Sequence, residues 1–508
     1  YQEVYPKINL RYYYQSTGFK YDFIVEPSAN PQNIKWRYEG LDTLALQEGR
    51  LVLKTSVETV VENPPVAYWL SPDGERHFVD CQYKIEQGVV SFQLGKYPDK
   101  ETLIIDPKLV FSTYSGSAVD NWGFTATPSI DEGAYGGGII FDFANGSAYP
   151  TSVGAFQDTF KGGQIDIGIS KFSADGRQLV YSTYLGGDFA EVPVSTLEGA
   201  NKSLIILGLT GSLNFPVTPN AYDTSFAPGV SGSLDQSGYL TNAPFGSHVF
   251  LTVLDSTGGN LLGSSYFGDT ALDGKNQELH FNFGDEFRGD LAQDASGNIY
   301  FVTNTTSPNM AVGANVMQNT FGGGQDGFAG SFTNDLSSLN WGTYLGGSSN
   351  DALFSLTLTT NNRLYVTGAT ESTDLNSLAP NDAYQDSLAG KVDALVAELN
   401  PANGALVNFT FTGTPENDLS YFSDVNQNGD VIIFGQTYGS WFISDTNVYR
   451  DSNSSQFLQW LTPDLTAVRK STVFGTGQNN SINISPTALL VDDCNNVLLS
   501  GFMPNSLG

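Results

Sequence analysis

The sequence predicts an all-β protein, and three observations support this prediction. A short aromatic tag that ends in glycine recurs along the chain, turn residues separate short apolar runs, and the composition favours strands. The chain has 55 Gly, 25 Tyr and 33 Phe but only 3 Met, which suits strands joined by tight turns better than helices. Its 508 residues exceed the size of a single growing core, so we expect at least two domains.

The tag is clearest as STYLGG at 182–187, and its first glycine recurs at intervals of 62 to 82 residues. Such a loose repeat indicates an array of supersecondary units. The copies are STYSG (112–116), STYLGG (182–187), SSYFGD (264–269), GTYLGG (342–347), FTFTGT (409–414) and STVFGTG (471–477). They divide the chain into units at about 117–186, 187–268, 269–346, 347–413 and 414–475, followed by a partial unit at 476–508.

One unit, at 343–414, shows the plan of the others. After the two tag glycines, SSNDALFSLTLTT predicts a first strand, and LYVTGATES predicts a second, largely apolar one. AGKVDALVAELN predicts a third strand, and LVNFTFTGT predicts a fourth that contains the next tag. Four strands joined by short turns and repeated form the blades of a β-propeller. We therefore predict a propeller over 109–508, with six to seven blades and the last one incomplete in this chain.

Residues 1–108 have a different pattern. Short segments such as RLVLKTSVETVVE and VVSFQLGKY alternate apolar and polar positions, and turn signals such as PDG and YPDK separate them. This is typical of antiparallel strands with one buried face. The pattern predicts a β-rich, β-sandwich-like N-terminal domain that precedes the propeller.

The charge and the cysteine count exclude several classes of protein. The formal net charge is −30, and such a field repels phosphate backbones and anionic lipid, so we expect no nucleic-acid partner. No run of 18 apolar residues occurs, so we expect no membrane span. Cys81 and Cys494 are too few for a disulfide scaffold. The chain opens YQEVYPKINL, without the pattern of a signal peptide, which we expect to be removed on export.

Candidate sites are few. The aspartates Asp166, Asp326 and Asp393 precede third strands, where we expect them to accept turn N–H groups. DVNQNGD at 424–430 places oxygens at Asp424, Asn426, Asn428 and Asp430 like the start of a calcium loop, but Gly435 stands where the bidentate glutamate would fall. A plain turn is the favoured interpretation, and a weak calcium site is the alternative. We expect no other metal or cofactor.

Sequence motifs give catalysis little support. The sequence has no G-x-S-x-G, H-E-x-x-H or P-loop motif, and its three histidines are scattered. Paired carboxylates for glycoside hydrolysis leave no sequence signature, so that alternative stays open.

The units resemble a known family. GTYLGG, SSND and RLYVTGAT, within 341–370, are similar to the bacterial SBBP repeat, named for a seven-bladed β-propeller, and 181–187 and 215–218 also match. The resemblance covers 109–508, and 1–108 look like the β-rich domain that often precedes such repeats. It implies an exported or surface protein, frequent in Bacteroidota, often with a C-terminal sorting domain for the type IX secretion system and sometimes linked to gliding motility. It implies no catalytic residues.

We therefore expect an exported cell-surface or secreted protein that acts in binding or adhesion and is not an enzyme. The expected partners are a protein or glycan ligand at the propeller loops, and secretion or attachment machinery that reads a C-terminal region beyond this chain. One alternative is a polysaccharide-active enzyme, a glycoside hydrolase or lyase with carboxylates at the propeller mouth. Another is a calcium-stabilised structural adhesin.

Overall fold

The protein is all-β, as predicted. The computed structural model describes residues 1–15, 18–38, 43–47, 49–54, 59–62, 64–71, 76–106, 121–131, 133–141, 149–173, 178–234, 242–282, 284–444, 448–451, 454–475, 484–492 and 494–502. The first tag, at 112–116, lies outside these ranges. The chain divides into two compact units, Tyr1–Tyr114 and Ser115–Gly508. Short 3₁₀ helices occupy Pro31–Asn33, Ala200–Lys202, Asp285–Phe287 and Thr373–Ser377.

The first unit is built from antiparallel sheets. One has the strand order β1-β2-β11-β7-β8, another β3-β10-β9 and a third β4-β5-β6. Phe23 of the first sheet packs against Phe92 of the second, with ring centroids 5.8 Å apart, so the two sheets share one apolar core, as in a sandwich. The strands are β1 (Ile8–Gln15), β2 (Gly18–Val25), β3 (Lys35–Trp36), β4 (Thr43–Gln47), β5 (Arg50–Lys54), β6 (Thr59–Glu62), β7 (Val66–Leu70), β8 (Arg76–Val79), β9 (Cys81–Glu86), β10 (Val89–Leu94) and β11 (Leu103–Asp106).

The second unit contains four-stranded antiparallel sheets in which the strands follow sequence order. We call them blades 1 to 5. Blade 1 is β12 (Asn121–Pro128), β13 (Ala134–Phe141), β14 (Ile165–Phe172) and β15 (Leu179–Leu185). Blade 2 is β16 (Glu191–Glu198), β17 (Leu204–Thr210), β20 (His248–Leu254) and β21 (Leu261–Phe267), with the short pair β18 (Gly232–Ser233) and β19 (Asn242–Ala243) in its loop.

The remaining blades continue this plan. Blade 3 is β22 (Asp290–Gln293), β23 (Ile299–Thr305), β24 (Asp326–Phe332) and β25 (Leu339–Leu345). Blade 4 is β26 (Asp351–Leu358), β27 (Leu364–Thr370), β28 (Asp393–Leu399) and β29 (Leu406–Thr412). Blade 5 is β30 (Asp418–Val425), β31 (Val431–Thr437), β32 (Gln456–Leu461) and β33 (Val468–Phe474). Blade 6 consists, in the described residues, of β34 (Ser485–Val491) and β35 (Val497–Phe502).

The tag occupies the fourth strand of each complete blade, and the second strand is the most apolar. All residues of β17, β23, β27 and β31 are buried. Strands that are buried on both faces read as continuous apolar runs. The apolar second strands therefore lie between neighbouring blades, as the sequence indicates.

The junction between blades 3 and 4 explains the two tag glycines. A Cβ atom on Gly346 would lie 2.3 Å from Oδ1 of Asp326, the first residue of β24. A Cβ atom on Gly347 would lie 2.5 Å from Cβ of Ser372, just beyond β27. Glycines let the backbone pass this closely between the third strand of one blade and the second strand of the next.

Asp326 organises one side of this junction. Its Oδ2 accepts hydrogen bonds from the backbone N–H of Gly322, at 2.8 Å, and from Nε2 of Gln318, at 3.3 Å. Oε1 of Gln318 accepts the N–H of Gly346 at 3.1 Å. The expected structural role of the third-strand aspartates is confirmed here, since these bonds tie the loop before the strand to the tag.

The same role recurs in other blades. Asp166 accepts the N–H of Lys161 at 2.6 Å, and Asp393 accepts the N–H of Ala389 at 2.7 Å. In blade 2, His248 stands at this place and stacks on Phe226 with ring centroids 4.1 Å apart. The imidazole therefore replaces the carboxylate with an aromatic contact.

Asp351 is a second acidic residue at this junction and lies on its other side. No sequence motif indicated its role. Oδ2 of Asp351, the first residue of β26, accepts the N–H of Gly347 and the Oγ–H of Ser372, both at 2.7 Å. Asp351 lies four residues after the second tag glycine. The same offset gives the corresponding acids at the other described junctions, which are Glu191, Asp273 and Asp418.

Loops between second and third strands link successive blades. In blade 3, the N–H of Tyr344 in β25 donates to the carbonyl of Gln318 in this loop, at 3.1 Å, so the loop covers the outer edge of the blade. The neighbouring Met317 donates its N–H to the carbonyl of Gly404, at 2.9 Å, in the hairpin turn between β28 and β29. The corresponding bonds in other blades join Phe156 to Gly258, Tyr222 to Leu336 and Tyr384 to Leu465.

Burial raises the pKa values of the junction acids. Desolvation is the largest cause in each case. It raises the pKa of Asp326 from 3.8 to about 7, of Asp351 to about 6 and of Asp418 to about 7. The pKa of Glu191 is also raised, by burial and then by the nearby Asp166. Folding therefore favours the protonated form of these carboxyl groups.

We predict that the protein loses stability as the pH rises from 5 to 8. The folded state holds protons that the unfolded state has already released, so this stability is fully present below about pH 4 and is lost as pH passes the raised values. Burial lowers the pKa of His248, so this residue makes the protein more stable as the pH rises. One such group does not offset the several carboxyl groups with raised pKa values. Thermal unfolding should give a Tm lower by roughly 5 °C at pH 8 than at pH 5.

The variant Asp351→Asn tests the cause, because the amide mimics the protonated acid. It should shrink the difference in unfolding free energy between pH 5 and pH 8 by about 1 kcal/mol. Asp382→Asn, at an exposed aspartate, should leave the difference unchanged. An equal effect of both variants would contradict the assignment.

Candidate functional site

A cavity lies among the first strands of the blades. Its volume is about 680 Å³, within the range of small-ligand sites. It is lined by residues of β12, β16, β22, β26, β30 and β34, with Ser500 of β35 and the segment before β22. Because the first strand of each blade contributes, this is the axial pocket of the ring.

β-Bulges shape the wall of the axial pocket. The pairing between the first and second strands shifts by one residue, so that one residue of the first strand has no partner opposite it. Such bulges redirect side chains and bend the strand. The skipped residues are Phe124, Val194, Phe354, Tyr421 and Thr487, and of these Tyr421 alone is outside the pocket lining.

Asp290 joins three blades beside the axial pocket. Its carboxylate accepts the Oγ–H of Ser195 in blade 2 at 3.2 Å and the Oγ–H of Ser355 in blade 4 at 2.8 Å. The backbone N–H groups of Leu291 and Leu356 complete the set at 2.9 and 3.2 Å. Burial raises the pKa of Asp290. These four bonds make the carboxylate a tether between first strands.

The described residues 276–282 and 284–288 stand where the first strand of blade 3 would start, since β22 begins only at Asp290. Leu279 packs in one cluster with Ala352 and Leu419, which are second residues of β26 and β30. Arg288 donates from Nη2 to the carbonyl of Pro486 in β34, at 3.0 Å. The segment therefore contacts the same end of the first strands in blades 4, 5 and 6, and it continues into the pocket lining at Phe287 and Arg288.

Arg288 is held in place by charge and by aromatic rings. It pairs with Asp285 at 3.1 Å, and its guanidinium carbon lies 4.2 Å from the ring centroid of Tyr421 and 5.2 Å from that of Phe422. Asp285 also accepts the hydroxyl of Tyr421 at 2.9 Å. Burial, followed by the nearby Asp285, raises the pKa of Tyr421 well above its ordinary value. The network fixes the guanidinium as a rigid part of the pocket lining.

The chemistry of the lining combines flat apolar faces with polar groups. Phe124, Phe287 and Phe422 are half-buried, and Thr487 and Ser500 are exposed. The rings of Phe124 and Phe287 meet edge to face at 5.7 Å. Such a lining can stack on a flat ligand face and bond its hydroxyl groups.

Of the four residues of the possible calcium turn, Asn426, Asn428 and Asp430 lie in the hairpin turn between β30 and β31 of blade 5, and Asp424 lies in β30. Oδ1 of Asn426 accepts the N–H groups of Asn428 and Asp430, each at 2.9 Å. Asp430 pairs with Arg469 on β33. Asp424 accepts the N–H of Val425, and that of Val491 in blade 6, each at 2.7 Å.

Nδ2 of Asn426 also donates to Oδ2 of Asp430, at 3.1 Å, whereas the carboxylate of Asp424 accepts its bond from blade 6. Asp294 and Asp492 close turns of the same kind in blades 3 and 6. Among the described residues, no group of three or more His, Cys, Asp or Glu side chains has the arrangement of a metal site. The plain turn stays the prediction, and the weak calcium site stays its alternative.

The two cysteines belong to different units. Cys81 in β9 and Cys494 in the hairpin of blade 6 are both free thiols. Burial raises the pKa of Cys81 to about 12, which makes its thiol unreactive at neutral pH. Across the described ranges, none of the helices combines the length and the apolar character that crossing a bilayer requires.

Fold and site together define a class. The second unit is a β-propeller with an axial pocket, and the first unit is a separate β-sandwich-like domain.

Residues 1–108 match a family model described as "Domain of unknown function (DUF7948)". No curated protein matches the chain. Solved structures are similar to the chain at low identity, among them the following three, and at these TM-scores the fold assignment depends on the strands of the chain itself.

The first is a protein of unknown function from Dyadobacter fermentans DSM 18053, with 12% identity and a TM-score of 0.37, over 78% of this chain and 93% of that one. The second is a mutant of the NanB sialidase from Streptococcus pneumoniae, with 7% identity and a TM-score of 0.40, over 90% and 87%. The third is the Hadza microbial sialidase Hz136, with 9% identity and a TM-score of 0.33, over 82% and 83%.

We predict that Asn426→Ala lowers the free energy of unfolding by about 1–2 kcal/mol, because two turn N–H groups lose their acceptor. Asn428→Ala is the matched control, since the Asn428 side chain is exposed, and its effect should stay within about 0.5 kcal/mol. Denaturant unfolding measures both.

The effect of calcium on the Tm distinguishes a plain turn from a calcium site. A plain turn gives the same Tm with millimolar calcium as with chelator. A Tm that rises with calcium, and no longer does so in Asn428→Ala, would contradict the plain turn.

Proposed function

We propose that this chain is an exported, non-catalytic binding protein that takes a short, neutral glycan into the axial pocket. The observation that carries this proposal is the lining of the pocket, where phenylalanine rings stand beside hydroxyl groups and a fixed guanidinium. Sugars present apolar C–H faces and polar edges, and this lining offers a partner to both.

The charge of the chain supports a neutral ligand. A formal net charge of −30 repels polyanions over distances of about a Debye length. Uncharged saccharides meet no such barrier. Arg288, neutralised by Asp285 at 3.1 Å, then acts as a hydrogen-bond donor rather than as an excess charge.

The hydrogen bonds of Asp290 favour a binding function over a catalytic one. A glycosidase needs two carboxyl groups free to give and take protons at the scissile bond. The oxygens of Asp290 already accept bonds from two serines and two backbone N–H groups. We assign this carboxylate to holding the blades together.

The proposed export follows from the resemblance to SBBP repeats. Repeats with the GTYLGG and RLYVTGAT pattern are typical of surface and secreted proteins. On that basis we propose delivery as cargo of the type IX secretion system, with attachment machinery as a partner.

Ligand binding can be tested on an array of neutral mono- to tetrasaccharides, with hits measured by calorimetry. We expect saturable binding that Phe124→Ala and Phe287→Ala each weaken roughly tenfold, through loss of a stacking face. Phe78→Ala, at an exposed phenylalanine of the first unit, should leave affinity unchanged. Near-native melting curves for all variants separate lost binding from lost folding.

Two results would contradict this proposal. Equal affinities for the three variants would place the ligand outside the axial pocket. Release of shortened saccharides during incubation would replace the binding function with a hydrolytic one.

Export can be tested in cells that make the protein. Fractionation should place it in the medium or at the outer surface, and inactivation of the type IX apparatus should retain it inside. Recovery in the cytoplasmic fraction of unaltered cells, or secretion that does not respond to the inactivation, would contradict the proposed route.

A further inference from the structure

The first unit contains a groove of its own. Its volume is about 860 Å³, within the range of small-ligand sites. It is lined by residues of β3, β9 and β10 and by two connecting segments, within 28–33 and 95–99. The backbone N–H of Ser28 donates to the carbonyl of Asp99 at 2.9 Å, so the two segments are tied together.

Two lysines and a serine form one row across this groove. Ser91 of β10 lies opposite Lys35 of β3 and opposite Lys84 of β9. Side chains of directly opposite residues stand on the same face of a sheet, with about 5 Å between their Cβ atoms. Val90 and Phe92, the neighbours of Ser91 in β10, are buried in the core, so the row faces away from the core.

The two ammonium groups of the row differ in their partners. Lys84 pairs with Glu86 at 2.7 Å, whereas no carboxylate of the described residues lies within ion-pair distance of Lys35. The backbone of Lys35 is fixed by Tyr5, whose hydroxyl donates to its carbonyl at 2.6 Å and accepts its N–H at 3.2 Å. The groove therefore presents one positioned ammonium group that has room for an anionic partner.

The rest of the lining is rich in groups that bind hydroxyls. Side-chain amides can both donate and accept hydrogen bonds, and carboxylates accept them. The amides are those of Asn30, Gln32, Asn33 and Gln93, and the carboxylates are those of Glu86 and Asp99.

The first unit is also far less acidic than the chain as a whole. Residues 1–108 hold 12 of the 23 Lys and Arg residues but only 15 of the 53 Asp and Glu residues. Their formal charge is therefore −3, and that of the other 400 residues is −27. Exposed charges more than about 10 Å apart are largely screened at 0.1 M salt, so the groups that line the groove weigh most on a ligand.

We propose that this groove binds a short saccharide that carries a carboxylate, such as a disaccharide with one uronic acid. Lys35 bonds the carboxylate through a charge-assisted hydrogen bond, and the amides and carboxylates of the lining bond the sugar hydroxyls. The groove shares no lining residue with the axial pocket. The proposal therefore stands apart from the neutral glycan proposed for that pocket.

A pair of matched ligands tests the proposal. The probe is a glucuronosyl-glucose disaccharide, and its methyl ester is the control, because the ester keeps the hydroxyls and removes the charge. Titrated into the full chain at low salt, the acid should bind saturably, and the ester should bind about tenfold more weakly. Added salt should weaken binding of the acid and leave that of the ester unchanged.

Two substitutions locate the carboxylate. Lys35→Gln should weaken binding of the acid about tenfold and leave that of the ester unchanged, since the two changes remove the same interaction. Lys54→Gln is the matched control, because Lys54 is an exposed lysine of β5 outside the lining, and it should alter neither affinity. Near-native melting curves show that both variants are folded.

Other results overturn the proposal. No saturable binding of the acid up to about 10 mM would remove the groove as a saccharide site. Equal affinities for acid and ester, or an equal effect of the two lysine variants, would remove Lys35 as the carboxylate partner. Binding of the acid that Phe124→Ala abolishes and Lys35→Gln leaves unchanged would place the acidic saccharide in the axial pocket instead.

Discussion

The ring depends on buried carboxyl groups at the places where the chain crosses between blades. The tag must pass between two β-sheets, so its backbone N–H groups are taken out of water and need acceptors. Asp326 serves one side of such a crossing, indirectly through Gln318, and Asp351 serves the other directly. The same crossing brings the two tag glycines into close contact with both blades, Gly346 with Asp326 and Gly347 with Ser372.

The repeated parts of the fold could be predicted from the sequence. The tag, the turn and the apolar run recur in a fixed order. The sequence of a single unit therefore suffices to predict the fourth strand and the buried second strand. The partners of Asp326 could be anticipated in kind, since an aspartate beside glycines accepts turn N–H groups. Asp351 shows a missed signal. It lies four residues after the second tag glycine, which the sequence shows. In a chain with many acidic residues, however, the sequence does not indicate which carboxyl groups are buried.

The site could not be predicted in the same way. The axial pocket is assembled from first strands that are far apart in the chain, and its aromatic wall arises from bulges that skip Phe124 and Phe354. Which residue is skipped depends on how the first strand pairs with the second, and the sequence of the first strand alone does not specify that pairing. The segment that carries Arg288 reads as a long loop of blade 3, yet it reaches the first strand of blade 6.

The bonds from each loop to the following hairpin give the ring a direction. Phe156 of blade 1 donates to Gly258 of blade 2, and Tyr384 of blade 4 donates to Leu465 of blade 5. The loop of each blade thus finds its backbone acceptor in the blade that is synthesised next. In a nascent chain, the most recently synthesised blade lacks this hydrogen bond until the next blade has formed.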